Sequence, residues 1–244
     1  VDELGKANII PVAEVPGVGQ NLRDHPSVSV TWRTKEGFPL DGMAPRMQVT
    51  LRYTATGSDL RNDIKVSMQS FATERVDMGG DRMKPLGIRI TAGLQLALGA
   101  GHIGLNSADP YQQPDLNYNY LQDEWDRERM REMVRICVGF EDHPDMQEIV
   151  QERIAPSDAD LEDDNSLDNW MINQVSTQHH ISGTCKMGPD SDPMAVVDQY
   201  ARLKGIENMR VVDASIMPDC IRANTNVTTM MIAERIADFI KDGN

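Results

Sequence analysis

The sequence predicts an α+β fold, a mostly antiparallel sheet with flanking helices, over residues 27 to about 169. Three observations carry that prediction. Four segments, "VSVTW", "MQVTLRYTA", "DIKVSMQSFA" and "IRITAGLQLAL", are rich in β-branched residues, alternate in part, and are separated by glycine and proline. Beyond them, "DEWDRERMREMVRICVGFEDH" sets Trp125, Met130, Met133, Val134, Cys137 and Val138 close to helical spacing. A last segment, "NVTTMMIAERIADFIKDGN", reads as a closing helix.

Taken in order, residues 1–26 hold a turn-rich stretch, "EVPGVGQNLRDHP", marked by Pro16, Gly17 and Gly19. "GVGQNL" is a poor phosphate loop, because it lacks the third glycine of GxGxxG and no apolar strand precedes it. The four strand segments follow. "GHIGLNSADPYQQPDLNYNYL" then reads as a strand and an ordered loop pinned by Pro110 and Pro114. After the amphipathic helix comes an acidic run, "SDADLEDDNSLDN". An EF-hand fails there: the sixth position from Asp158 is Asp163 rather than glycine, and the twelfth is Asn169 rather than glutamate. The run reads instead as a solvated loop capping a helix with Trp170 and Met171. "NMRVVDAS" predicts a short buried strand ending at Asp213, and "IMPDCIRANTN" a loop. In the closing helix the apolar positions are Val227, Met230, Met231, Ile236 and Ile240. Thr225 or Asn226 stands where an N-cap belongs, and Lys241 and Gly243 end it.

Composition narrows the function. The 244 residues suffice for one large domain or two modest ones. With 38 acids against 24 bases the net charge is -14, which argues against nucleic acid or an anionic membrane as partner, since both want a basic face. No apolar stretch is long enough for a transmembrane segment, and no secretory signal opens the chain. The opening, "VDELGKANII", reads as a cut end. Cys137, Cys185 and Cys220 are odd in number and form no CxxC, which fits a reducing, cytoplasmic setting. The fifteen methionines read as adaptable core.

The chemistry concentrates in the final third. "QHHISGTCKMG" places His179 and His180 before Gly183-Thr184. Histidine moves protons near neutral pH, and in an extended segment only one of two neighbours faces a given pocket. Asp213 ends the predicted strand. The Asn224-Thr225-Asn226 turn opens the last helix, whose N-terminus suits a group that becomes anionic. No metal site is predicted, since His179, His180 and Cys185 lack ligand spacing and Asp213 is remote.

The run from Ser176 to Asp238 closely resembles the C-terminal signature of the glucose-methanol-choline (GMC) family of flavin oxidoreductases. The shared pattern is a histidine, two residues, Gly-Thr and a methionine, then Val-Val-Asp, then an Asn-rich turn before "TxMIAE". "VPGVGQNLRDHP" and "SADPYQQPDLNYNYL" resemble two further stretches of the family, in family order.

The resemblance implies a cofactor, a reaction and roles. FAD would be the cofactor and a small-molecule alcohol the substrate. His180, three residues before Gly183, would be the catalytic base, and His179 would face packing or a second shell. Asn226 would be the second catalytic residue. A substrate hydroxyl would bond to both while hydride leaves for flavin N5. Asp213 and Ala214 would contact the ribityl-pyrophosphate region, and Asn226, Val227 and Thr228 the flavin at the helix N-terminus. The family's Gly-rich βαβ unit has no counterpart here, so a missing N-terminal FAD-binding half is the implied partner. Residues 1–26 and 176–244 would then belong to the FAD domain and expose apolar surface toward that half. Residues 27–175 would form the substrate-binding domain. Alternatives are a hydroxynitrile-lyase-type, non-redox enzyme on the same scaffold, or an inactive fragment that acts only with its missing half.

Overall fold

The computed structural model describes residues 2–73 and 85–243. In chain order the strands are β1 (Gln20–Leu22), β2 (Pro26–Thr34), β3 (Met47–Tyr53), β4 (Ile64–Ala72), β5 (Gly87–Leu94), β6 (Gly101–Gly104), β7 (Asp115–Asn117), β8 (Val150–Ala155) and β9 (Ser176–Thr177). The helices are α1 (Asp2–Lys6), α2 (Glu124–Gly139), α3 (Pro144–Ile149), α4 (Asp164–Gln174) and α5 (Asn226–Lys241). They form two compact units, one of residues 1–25, 99–120 and 179–244, the other of 26–98 and 121–178. Residues 99–120 group with the chain ends in this division.

In the second unit the α+β expectation holds. Its antiparallel sheet runs β3-β4-β5-β2-β8, and β9 pairs with the start of β2. Side chains alternate between faces with period two. Register sets Val30 opposite Ile90 and Ile90 opposite Met68, so these share a face with Val28, Trp32, Ile88, Ala92, Val66 and Ile64. Helix α2 lies against β5 and β2 and buries Met130, Met133, Val134 and Cys137. Its start is fixed by Asp123, whose carboxylate accepts from the N–H groups of Trp125 and Asp126. Asp163 caps α4 in the same way through Ser166 N–H. Met133 is wholly buried, so Met133→Ala is expected to lower stability by about 2–5 kcal/mol through a partly collapsed cavity, read as an earlier urea midpoint.

Two features of this unit escape the periodicity. Edge strand β8, "VQERIA", has no buried residue and carries no apolar run, yet it pairs with β2. Helix α2 also buries a charged cluster. Arg129 donates from Nη1 to Asp63 at 2.9 Å and from Nη2 to Asp126 at 2.5 Å and to the Leu96 carbonyl at 2.9 Å. Asp63 also accepts from the Ala55 N–H and the Ser58 hydroxyl.

The first unit contains the three-stranded sheet β1-β6-β7. A cluster of Val196, Val197, Ala201, Ile216 and Ile236 forms its core, with Leu203, Val211 and Phe239 packed against it. One expectation is corrected here, and one about exposed apolar surface is met. "NMRVVDAS" is not a strand: among the described residues only a single bridge, Arg202 to Arg210, pairs it, and one bridge does not propagate a ladder. Helix α5 buries only Ile236 of its predicted apolar positions, while Val227, Met230, Met231 and Ile240 are exposed. Ile10, Val12, Val18 and Ile181 in the same unit are exposed as well. The methionines are therefore only partly core.

Candidate active site

Two stretches far apart in sequence are laid side by side in the first unit. Arg23 N–H donates to the Ser182 carbonyl and Ser182 N–H to the Arg23 carbonyl, both at 2.9 Å, and Gly19 N–H donates to the Thr184 carbonyl. Gly183 permits this approach. Its φ is +86°, and a Cβ there would lie 2.5 Å from the Asn21 carbonyl oxygen. Asn21 itself donates from Nδ2 to the Gly183 carbonyl at 3.2 Å. "GVGQNLRDH" and "HHISGT" are thereby held in one register.

The histidine pair is parted by a bend. His179 has φ +62° and is exposed, so the segment is not extended there. His179 faces outward rather than into packing, which corrects the expectation for it. His180 turns inward and is 9% exposed. Its N–H donates to Asp24 Oδ1 at 2.9 Å, and the same oxygen accepts from His25 N–H at 2.7 Å. Tyr120 donates from its hydroxyl to Asp24 Oδ2 at 2.5 Å. One buried carboxylate therefore fixes the main chain of both inward histidines, with the strength that charge-assisted bonds carry.

The rings meet as well. His25 Nδ1 and His180 Nδ1 are 2.9 Å apart, with ring planes at 71°. His25 Nε2 lies 2.7 Å from the Ile221 carbonyl oxygen and 3.1 Å from Cys220 Sγ. Sγ is also 3.7 Å from the His180 carbonyl. Burial pushes the Cys220 thiol up to about 11, with Asp24 and Asp219 adding to the shift, so at neutral pH it is a protonated thiol. It is a poor nucleophile in that state.

Asp213 and Ala214 lie next to this motif. Gly183 N–H donates to the Ala214 carbonyl at 3.3 Å, and Cys185 N–H to the Ser215 carbonyl at 2.9 Å. The exposed Asp213 carboxylate accepts from Ser215 N–H at 2.8 Å and from its hydroxyl. Asn226, Val227 and Thr228 form the first turn of α5. Thr225 occupies the N-cap position, but with helical dihedrals, and its side chain caps no N–H group. Asn226 is exposed, and its side chain makes no hydrogen bond among the described residues. The structure thus joins His180 to Asp213 and Ala214 through one short stretch, while no hydrogen bond links His180 to Asn226.

His25, Asp24, Tyr120 and Cys220 were not foreseen as site residues. The signal for the first two was the "RDHP" of the early loop, which carries three polar residues in an otherwise turn-forming stretch. Tyr120 and Cys220 left no local signal.

Comparison with known proteins gives a consistent result. A family model described as GMC oxidoreductase matches residues 98–233. Oxygen-dependent choline dehydrogenase from Cronobacter sakazakii is 34% identical over 260 residues, covering 98% of this chain and 46% of that protein. The Proteus mirabilis protein of the same name is 33% identical, with the same coverage. The chain therefore spans about half the length of the curated relatives it matches. Among solved structures, pyridoxine 4-oxidase from Mesorbium loti superposes with a TM-score of 0.80 at 24% identity, covering 97% of this chain and 46% of that one. Formate oxidase from Aspergillus oryzae superposes with a TM-score of 0.83 at 21% identity, covering 100% of this chain and 50% of that one. Both structural likenesses concern the fold. Among the described residues no helix is long and apolar enough to cross a membrane.

Proposed function

The chain belongs to the GMC oxidoreductase family, and from that premise we propose that it forms the catalytic portion of an FAD-dependent enzyme that oxidises a primary or secondary alcohol. The observation that carries the reading is the inward His180, with its main chain held by Asp24 and its Nδ1 held at His25. A base so placed keeps one orientation through turnover, which is what general-base catalysis needs. The choline dehydrogenases among the relatives favour a small alcohol as substrate.

In this reading the alcohol hydroxyl bonds to His180 Nε2, and the Asn226 amide holds the same oxygen. His180 takes the hydroxyl proton as the carbon-bound hydrogen leaves. The resulting imidazolium is stabilised by the nearby Asp24 carboxylate. FAD, when bound, supplies the two-electron acceptor. The residues fit such a group. The uncapped first turn of α5 at Asn226, Val227 and Thr228 offers N–H groups and a partial positive charge to an anionic ring edge. The Ala214 carbonyl accepts from the Gly183 N–H, and Asp213 precedes Ala214 in the chain. They would line the ribityl-pyrophosphate region. The remaining FAD contacts fall to a partner N-terminal half, for which the exposed Val227, Met230 and Met231 form a fitting apolar surface.

Visible absorption tests this reading. The full-length protein is expected to hold flavin, and its bands to bleach anaerobically with at least one member of a panel of choline, aliphatic, aryl and sugar alcohols. The 244-residue chain, incubated with FAD and freed of the excess, is expected to retain none. Full-length holoprotein that no alcohol in the panel bleaches would refute alcohol oxidation.

A further inference from the structure

Beyond the role of His180 as base, and resting on it, we infer that His25 is a positioning residue that sets the tautomer of His180. A carbonyl oxygen only accepts hydrogen bonds. The contact of His25 Nε2 with the Ile221 carbonyl at 2.7 Å therefore places a proton on that nitrogen. Cys220 Sγ, 3.1 Å away, shares this donor as a weak acceptor. The thiol hydrogen has its own acceptor in the His180 carbonyl, 3.7 Å from the sulfur. A neutral imidazole with Nε2 protonated has its lone pair on Nδ1. His25 Nδ1 is 2.9 Å from His180 Nδ1, and two nitrogens at that distance share one proton. Since His25 Nδ1 accepts, His180 Nδ1 donates. His180 Nε2 is then the acceptor of its ring, the atom that takes a proton from a substrate hydroxyl.

The alternative arrangement is unfavourable at each step. If His180 carried its proton on Nε2, the two Nδ1 lone pairs would face each other at 2.9 Å unless His25 became a cation. A cationic His25 would turn His180 Nδ1 into an acceptor and leave Nε2 a donor, unable to act as base. When His180 gains the substrate proton, its Nδ1–H bond to His25 becomes charge-assisted and strengthens. The same contact thus selects the reactive tautomer and favours the protonated product of the transfer. Asp24 serves the arrangement from the main-chain side. It holds both histidines by their N–H groups and is itself held by Tyr120. The logic is that of a histidine whose far nitrogen is fixed so that the near one can work.

Ring-nitrogen NMR reads the tautomer directly, without turnover. The full-length, FAD-loaded protein is labelled with 15N-histidine, and the His180 signals are assigned as those lost in His180→Asn. In the wild type at neutral pH, His180 is expected with Nδ1 protonated and Nε2 bare. His25→Ala is expected to populate the Nε2–H form and to lower kcat about 10²-fold, with KM for the alcohol nearly unchanged. His25→Asn keeps an oxygen acceptor near the position of Nδ1, so it is expected to retain the Nδ1–H tautomer and recover most of kcat. An Nε2–H His180 in the wild type would overturn the inference. So would a His25→Ala protein whose activity drops while the His180 tautomer stays unchanged. The Nδ1–H tautomer in a protein whose His180→Ala variant keeps full activity would uphold the tautomer assignment and sink the base reading instead.

Discussion

His180→Ala in the full-length flavoprotein is expected to slow flavin reduction by alcohol about 10²–10⁴-fold, the range that a positioned general base supplies. The fold around it should survive. The main chain at His180 is held by Asp24 through the backbone N–H, and that bond does not depend on the side chain. Gly183 and the pairing of Arg23 with Ser182 keep the loop in register beyond it. Flavin content and the urea midpoint should therefore stay close to wild type while the bleaching rate collapses. His179→Ala is the matched control. That ring is exposed on a left-handed bend, and its loss should change the rate by less than about threefold, as surface substitutions usually do. Stopped-flow bleaching separates the two variants. Equal losses in both would mean that the loop as a whole, and not the His180 ring, matters. A normal rate in His180→Ala would remove it from the chemistry.

The contrast between the two histidines marks how far the sequence could be read. Spacing to Gly183 singles out His180 through the family resemblance, and the structure gives it the inward position. It does so by a bend at His179 rather than by the alternation of an extended strand, and such a bend in a non-glycine residue leaves no periodic signal. The strands of the second unit were legible because their β-branched runs alternate and α2 covers one face. Edge strand β8 was not, since none of its residues is buried and so no apolar alternation marks it. The predicted strand before Asp213 failed for the opposite reason. Val211 and Val212 supply an apolar pair, but hydrophobicity alone makes no ladder without a paired neighbour. Helix α5 was placed correctly from its composition, yet which of its apolar residues are covered depends on what packs against them. The contacts of His25, Cys220 and Tyr120 join segments roughly a hundred to two hundred residues apart, and no local pattern encodes such a meeting.

The largest stability effect is expected at a site with no part in the chemistry. Asp63→Ala removes a carboxylate that is fully buried and faces the equally buried Arg129 at 2.9 Å. The Arg129 guanidinium keeps Asp126 and the Leu96 carbonyl, but one of its two charge partners is gone. Breaking a buried pair in this way costs about 3–5 kcal/mol, because the remaining charge stays out of water with less to compensate it. The Ala55 N–H and the Ser58 hydroxyl lose their acceptor as well, adding to the cost. Trp32, Trp125 and Trp170 are the three tryptophans of the chain, and all lie in the unit that holds this cluster. Their fluorescence in urea therefore reports its unfolding, and the midpoint should fall well below wild type. Asp63→Asn keeps the shape and an acceptor while removing the charge, so it should fall between the two. If the Ala and Asn variants unfold together with wild type, the cluster contributes no net stability. If they unfold together but far below it, the charge rather than the hydrogen bonds to Ala55 and Ser58 holds α2 to the turn between β3 and β4.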